Sequence, residues 1–70
     1  MQGSFTSGGV AFDWAVQRGP GSPPSWILVI VAGDISIARR YEDEMAHREA
    51  ESEARKAAGA IVKLIEQWTG

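Results

Sequence analysis

His47 is the only histidine of the chain, and helical spacing places Asp43, Glu44 and Glu51 on its face. An imidazole among carboxylates is the donor set of a weak divalent-ion site. The plainer expectation is a solvated histidine on a charged helix. One histidine and no cysteine rule out a His-rich or Cys-type metal site. Ser22, Ser25, Ser36 and Ser52 would act as nucleophiles only with a base beside them, and none has a His/Asp constellation in the sequence. Residues 18–25, Arg-Gly-Pro-Gly-Ser-Pro-Pro-Ser, have the glycine content of a phosphate loop. They lack the Gly-Lys-Ser/Thr ending and do not lead from a strand into a helix. Neither catalysis nor a cofactor is expected.

The strongest charge feature lies at residues 42–53. Glu42, Asp43, Glu44, Glu49, Glu51 and Glu53 stand there against Arg48 alone. Such a run is either a solvated helix start or an acidic patch that docks a basic partner. The whole chain has a formal net charge of −2. That argues against a dedicated nucleic-acid or membrane-surface binder, which would be basic. The opening residues are polar and Gly-rich, without the basic-then-apolar pattern of a secretory signal. The lack of cysteine is compatible with a cytoplasmic protein. At 70 residues the chain is one small domain with a marginal core. With disulfides and a Cys-type metal site unavailable, oligomerisation is the remaining stabiliser.

The elements that would position these groups follow from apolar spacing. Residues 1–9 read as a flexible tail with Phe5 as its one anchor, leaving 10–70 as a single domain. Residues 10–17 alternate: Val10, Phe12, Trp14 and Val16 point one way, and Ala11, Asp13, Ala15 and Gln17 the other. That is a half-buried strand. The Pro/Gly-rich segment 18–25 is a loop. Residues 26–32, Trp-Ile-Leu-Val-Ile-Val-Ala, are a second strand, apolar on both faces and too short to span a membrane. Gly33-Asp34 then suits a two-residue type II′ turn. The turn fixes the register: Ala32 opposite Ile35, Ile30 opposite Ile37, Leu28 opposite Arg39, Trp26 opposite Tyr41. On the other face Val31 meets Ser36, Val29 meets Ala38 and Ile27 meets Arg40.

From about residue 43 the pattern is helical. Glu44–Arg48 and Glu51–Arg55 are i,i+4 pairs, and Ala54, Ala57, Ala58, Ile61, Leu64, Ile65 and Trp68 form an apolar stripe. Gly59 weakens the helix and is placed to let it approach the sheet closely. A competing reading starts the helix at Asp34 as an N-cap and runs it unbroken to Trp68. The expected fold class is α+β: a three-stranded antiparallel sheet packed on one C-terminal helix. Its core face holds Val10, Phe12, Trp14, Val16, Trp26, Leu28, Ile30, Ile35, Ile37 and Tyr41. Its opposite face carries an apolar strip, Ile27, Val29 and Val31, bordered by Ala38 and Arg40 and left without a helix to cover it.

The first hairpin resembles a double-stranded RNA-binding domain in Phe12, Gly19-Pro20, Pro24 and Trp26, running on to Gly33. A third strand and an Ala-rich last helix, with Ala57-Ala58, Ile61, Val62 and Ile65, continue the similarity. The resemblance implies a β-β-β-α fold and nucleic-acid binding. It departs in three places. The family has a helix before the first strand. Its loop histidine falls near Ser22, and its phosphate-holding lysines fall near Ala50, Glu51 and Ala54. The element order is also similar to phage-type integrase arm-binding domains and to small antitoxins of the HicB type. Two functions are therefore expected in order. The first is a small non-catalytic module that self-associates, or docks on a protein partner, through Ile27, Val29, Val31, Ala38 and Arg40. The alternative is nucleic-acid binding through Arg18, Ser22, Arg39, Arg40, Arg55 and Lys56.

Overall fold

A computed structural model describes residues 1–69. It contains β1 (Gln2–Ser7), β2 (Val10–Arg18), β3 (Trp26–Ala32), β4 (Ile35–Tyr41) and α1 (His47–Thr69). The strands form one antiparallel sheet in the order β1-β2-β3-β4. The fold class is α+β with one C-terminal helix, but the sheet has four strands rather than three. Ile35–Tyr41 is a strand, so the helix does not begin at Asp34.

The additional strand comes from the segment expected to be a tail. Gly8 and Gly9 both have positive φ, 57° and 77°. That is the sign pattern of a type I′ hairpin turn, whose twist matches the strands it joins. The turn pairs Ser7 with Val10 and Phe5 with Phe12. The two phenylalanine rings stack at 5.3 Å. Gly3 lies opposite Trp14, and a Cβ there would stand 2.7 Å from the indole. A side chain at this position would displace the ring. The Val16 N–H donates to the Met1 carbonyl at 2.8 Å.

The β3–β4 register is the one the Gly-Asp turn dictates, from Trp26 opposite Tyr41 to Ala32 opposite Ile35. Gly33 has φ 58°, and among the described residues no non-glycine has positive φ. A positive φ at the first turn position alone fits type II′. In the β2–β3 loop the Gly19 N–H donates to the Ser25 carbonyl at 2.7 Å, which closes the loop at its base.

The core forms where large residues on the sheet meet small ones on the helix. Phe12, Trp14, Leu28 and Ile30 are buried beneath Ala50, Ala54, Ala57, Ala58 and Ile61. The alanines let the helix axis come close, and the aromatics fill the volume between. The indole N–H of Trp14 is buried without a hydrogen-bond partner, and its ring meets the His47 imidazole edge-on at 5.0 Å. The helix starts at His47 rather than near residue 43 because Met45 turns into the core first. The Ala50 N–H then makes its bond to the Ala46 carbonyl at 3.0 Å. Glu44 therefore lies ahead of the helix, and its spacing to Arg48 is not helical. Glu51 and Arg55 do pair, at 3.7 Å.

Adding β1 shifts the middle of the sheet, and α1 follows it. Among the described residues the helix packs mainly on β1, β2 and β3, and it reaches β4 at Tyr41 through Glu53. Ile35, expected in the core, is consequently 42% exposed. Helix and strands also differ in length. Twenty-three helical residues span about 34 Å, and seven-residue strands about 23 Å. The helix outruns the sheet, and the molecule measures 45 × 19 × 16 Å. Leu64 and Trp68, expected in the packed stripe, are 55% and 88% exposed for that reason.

Gly59 does not mediate a close approach. A Cβ there would have no neighbour within 4 Å outside the local helix. Gly59→Ala should therefore stabilise the domain by about 1 kcal/mol, through helix propensity alone. A thermal melt followed by circular dichroism should rise by about 4–8 °C. A lower melting temperature would mean that the position is packed after all.

Candidate functional site

Three surfaces carry the residues with functional potential. The first is the sheet face turned away from α1. Register places Gln2, Ser4 and Thr6 on it from β1, and Ala11, Asp13, Ala15 and Gln17 from β2. Ile27, Val29 and Val31 come from β3, with Ser36, Ala38 and Arg40 from β4. All five predicted interface residues therefore share one face, and among the described residues no element covers it. Ile27 and Val29 are half-buried between their neighbours, and Val31 is 37% exposed. A shallow depression of about 560 Å³ runs across β1, β2 and β3, lined by Gln2, Ser4, Asp13, Gln17, Val29 and Val31. The strand the sequence reading missed makes this face more polar at one side. The apolar strip is thus a narrow band, bordered by small and hydroxyl side chains.

The second surface is acidic. Glu42, Asp43, Glu44, Glu49 and Glu53 line one cleft of about 490 Å³, with Tyr41, Met45, Arg48 and Ser52. Five of the six predicted acidic residues converge because the chain bends from β4 into α1 there. Glu51 lies on a neighbouring helix surface with Arg55 and Lys56. One carboxylate of the cleft, Glu53, already has two partners. The Tyr41 hydroxyl donates to Glu53 at 3.4 Å, and Lys56 pairs with Glu53 at 3.6 Å. Asp43 and Glu44 precede the helix, so they do not share a helical face with His47. Among the described residues no group of three or more His, Cys, Asp or Glu is disposed to hold a metal ion.

The basic residues of the nucleic-acid reading are distributed over the molecule. Ser22 and Arg40 border one depression, together with Glu42. Arg39 lies on the helix-bearing face, opposite Leu28. Arg18 ends β2 opposite Trp26. Arg55 covers the Phe5 ring at 4.8 Å while pairing with Glu51. Phosphate recognition needs cations along one track; here Arg39 and Arg40 point to opposite faces of the sheet, and Arg55 and Lys56 each already pair with a glutamate. Where the double-stranded RNA-binding pattern has a helix, this chain has β1.

The third surface was not recognised as one in the sequence. It is the end of α1 beyond the sheet, with Leu64 and Trp68 exposed. Periodicity had assigned Leu64 and Trp68 to the core stripe. What the sequence did not reveal is where the sheet beneath them stops. No family model, curated protein or solved structure matches this chain. Among the described residues no helix is long and apolar enough to cross a membrane.

Proposed function

We propose that this chain is a small non-catalytic interaction module that self-associates and offers its open sheet face to a protein partner. The observation that carries the reading is the apolar surface left uncovered once the core is complete. Ile35, Leu64 and Trp68 are exposed, and the Ile27–Val29–Val31 strip has no covering element. Apolar surface in contact with water is a driving force for association, worth about 25 cal/mol for each Å² removed. At its centre, Val29, the strip is flanked by Ala15 and Ala38, side chains small enough for a second surface to approach closely. The acidic cleft adds a rim feature that would steer a basic partner.

The chain should elute as an oligomer in size-exclusion chromatography with light scattering. Its melting temperature should rise with protein concentration, because association stabilises the folded form by mass action. A monomer at every concentration up to about a millimolar, a range in which even weak pairs assemble, would overturn self-association.

A further inference from the structure

We propose that β1 is the edge through which this chain self-associates: β1 of a second copy pairs with it antiparallel, Ser4 opposite Ser4, and joins the two sheets into one. The proposal rests on the reading of the chain as a self-associating module and assigns the surface that does it. In an antiparallel pair, residues alternate between those that bond across the ladder and those whose N–H and C=O point the other way. A two-residue turn makes the residues flanking it the first bonded pair. The Gly8-Gly9 turn therefore sets the bonded pairs at Ser7 and Val10, Phe5 and Phe12, and Gly3 and Trp14. The Val16 N–H on the Met1 carbonyl continues the same phase. Gln2, Ser4 and Thr6 consequently turn their backbone groups away from β2, along the outer edge of the sheet. Among the described residues no group of the chain bonds to them there.

A row of open backbone groups is a template for a further strand, and sheet edges are commonly guarded by charge, proline or a bulge. The other edge, β4, is guarded, because Arg39 and Arg40 stand on its two faces. β1 has no such guard. Gln2–Ser7 contains neither charge nor proline, and no bulge interrupts its pairing with β2. The segment is also complementary to itself. With Ser4 on a two-fold axis, Gln2 meets Thr6 of the second copy, and about six backbone hydrogen bonds close between the copies. On the open face Ser4 meets Ser4 and Gln2 meets Thr6, groups that hydrogen-bond across strands. On the helix-bearing face Gly3 meets Phe5 of the second copy, and the bare glycine leaves room for the ring. Arg55, over Phe5, is already paired with Glu51. Asp13 lies opposite Ser4, so the two copies of Asp13 stand three strand spacings apart, about 14 Å, beyond the screening length. The helix lies over β1, β2 and β3 and keeps about the same distance from its copy. That exceeds the roughly 8–10 Å of helices in contact, so the helices do not obstruct the edge. The two-fold axis leaves both helices on one face of the joined sheet and both Ile27–Val29–Val31 strips on the other.

The test compares Ser4→Pro, Ser4→Lys, Ala38→Pro and Val29→Lys with the parent in size-exclusion chromatography with light scattering. Circular dichroism verifies the fold of each. The parent should show twice the chain mass. Ser4→Pro deletes an outward N–H that β2 does not use, so the fold should survive. It removes the central pair of bonds between copies, and the dimer constant should weaken by about 30-fold. Ser4→Lys leaves the backbone intact and should also dissociate the dimer, by setting two ammonium groups opposite each other. Ala38→Pro deletes the corresponding outward N–H on β4 and should remain a dimer, as should Val29→Lys on the open face. Ser4 variants that stay dimeric overturn the β1 edge, and the self-associating module stands if Val29→Lys dissociates instead. A monomeric parent overturns both. The chain has no cysteine, so a single Ser4→Cys should cross-link copies under mild oxidation faster than Ser36→Cys on β4. Residues directly opposed in a bonded pair stand about 5.5 Å apart, within the span of a disulfide. The reverse order would overturn the proposal.

Discussion

Phe12→Ala should leave the chain largely unfolded at 37 °C. Phe12 is 1% exposed and is among the largest fully buried side chains. One neighbour is the Phe5 ring, stacked at an interplanar angle of 18°, and helix alanines close the space from above. Alanines on the helix cannot reach into the void, and the Gly8-Gly9 turn holds β1 and β2 in register. The site therefore collapses poorly. Truncation of a buried phenylalanine costs about 3–5 kcal/mol, with poorly relaxing sites at the upper end. A domain of this length has about 3.5–10 kcal/mol in total. Urea melts monitored by far-UV dichroism measure the loss directly. A loss below about 1 kcal/mol would mean that Phe12 does not anchor this core.

Deleting Gln2–Ser7 should be nearly as damaging, and it separates a strand from a tail. The segment contributes a complete ladder to β2, from Gln2 opposite Ala15 to Ser7 opposite Val10. It buries Phe5 to 9% exposure, worth about 1.5–3 kcal/mol by transfer. It also covers the flank of Phe12 and lies directly over the Trp14 ring at Gly3. Removing it makes β2 an edge and wets two core aromatics. A loss of at least about 3 kcal/mol is expected from those two burials together. Phe5→Ala alone should cost less, because the ladder survives. A truncated protein that melts like the parent would show that the segment is dispensable.

Several elements of this fold are legible because one local signal sets them. Alternation from Val10 to Val16 fixes the buried face of β2, and Gly33-Asp34 fixes every pair between β3 and β4. β1 is hard to read from sequence because its signal is divided. Gln2, Ser4 and Thr6 face outward, Gly3 must be bare to fit Trp14, and Phe5 is the one large apolar residue facing in. Gly8-Gly9 is itself a hairpin signature, and it was sufficient to find the strand. The helix illustrates a different limit. Periodicity states which residues share a stripe and says nothing of how much sheet lies below, so Ile61 and Trp68 looked alike. Among candidate sites, the carboxylates converge because they are neighbours along one bend. Arg39 and Arg40 are neighbours in sequence, and only the strand register shows that they point to opposite faces.

The three tryptophans make the molecule its own spectroscopic probe. Trp14 is 2% exposed and Trp68 is 88% exposed, while Trp26 opens β3 half-buried. Indole emission moves to longer wavelength in water and to shorter wavelength in an apolar surround. Unfolding therefore reddens the spectrum through Trp14, and a contact that removed Trp68 from water would turn it bluer. The two events carry opposite signs in one emission scan, so such a contact and unfolding are distinguishable without a label. Replacing either residue by phenylalanine leaves the other as a single-event reporter.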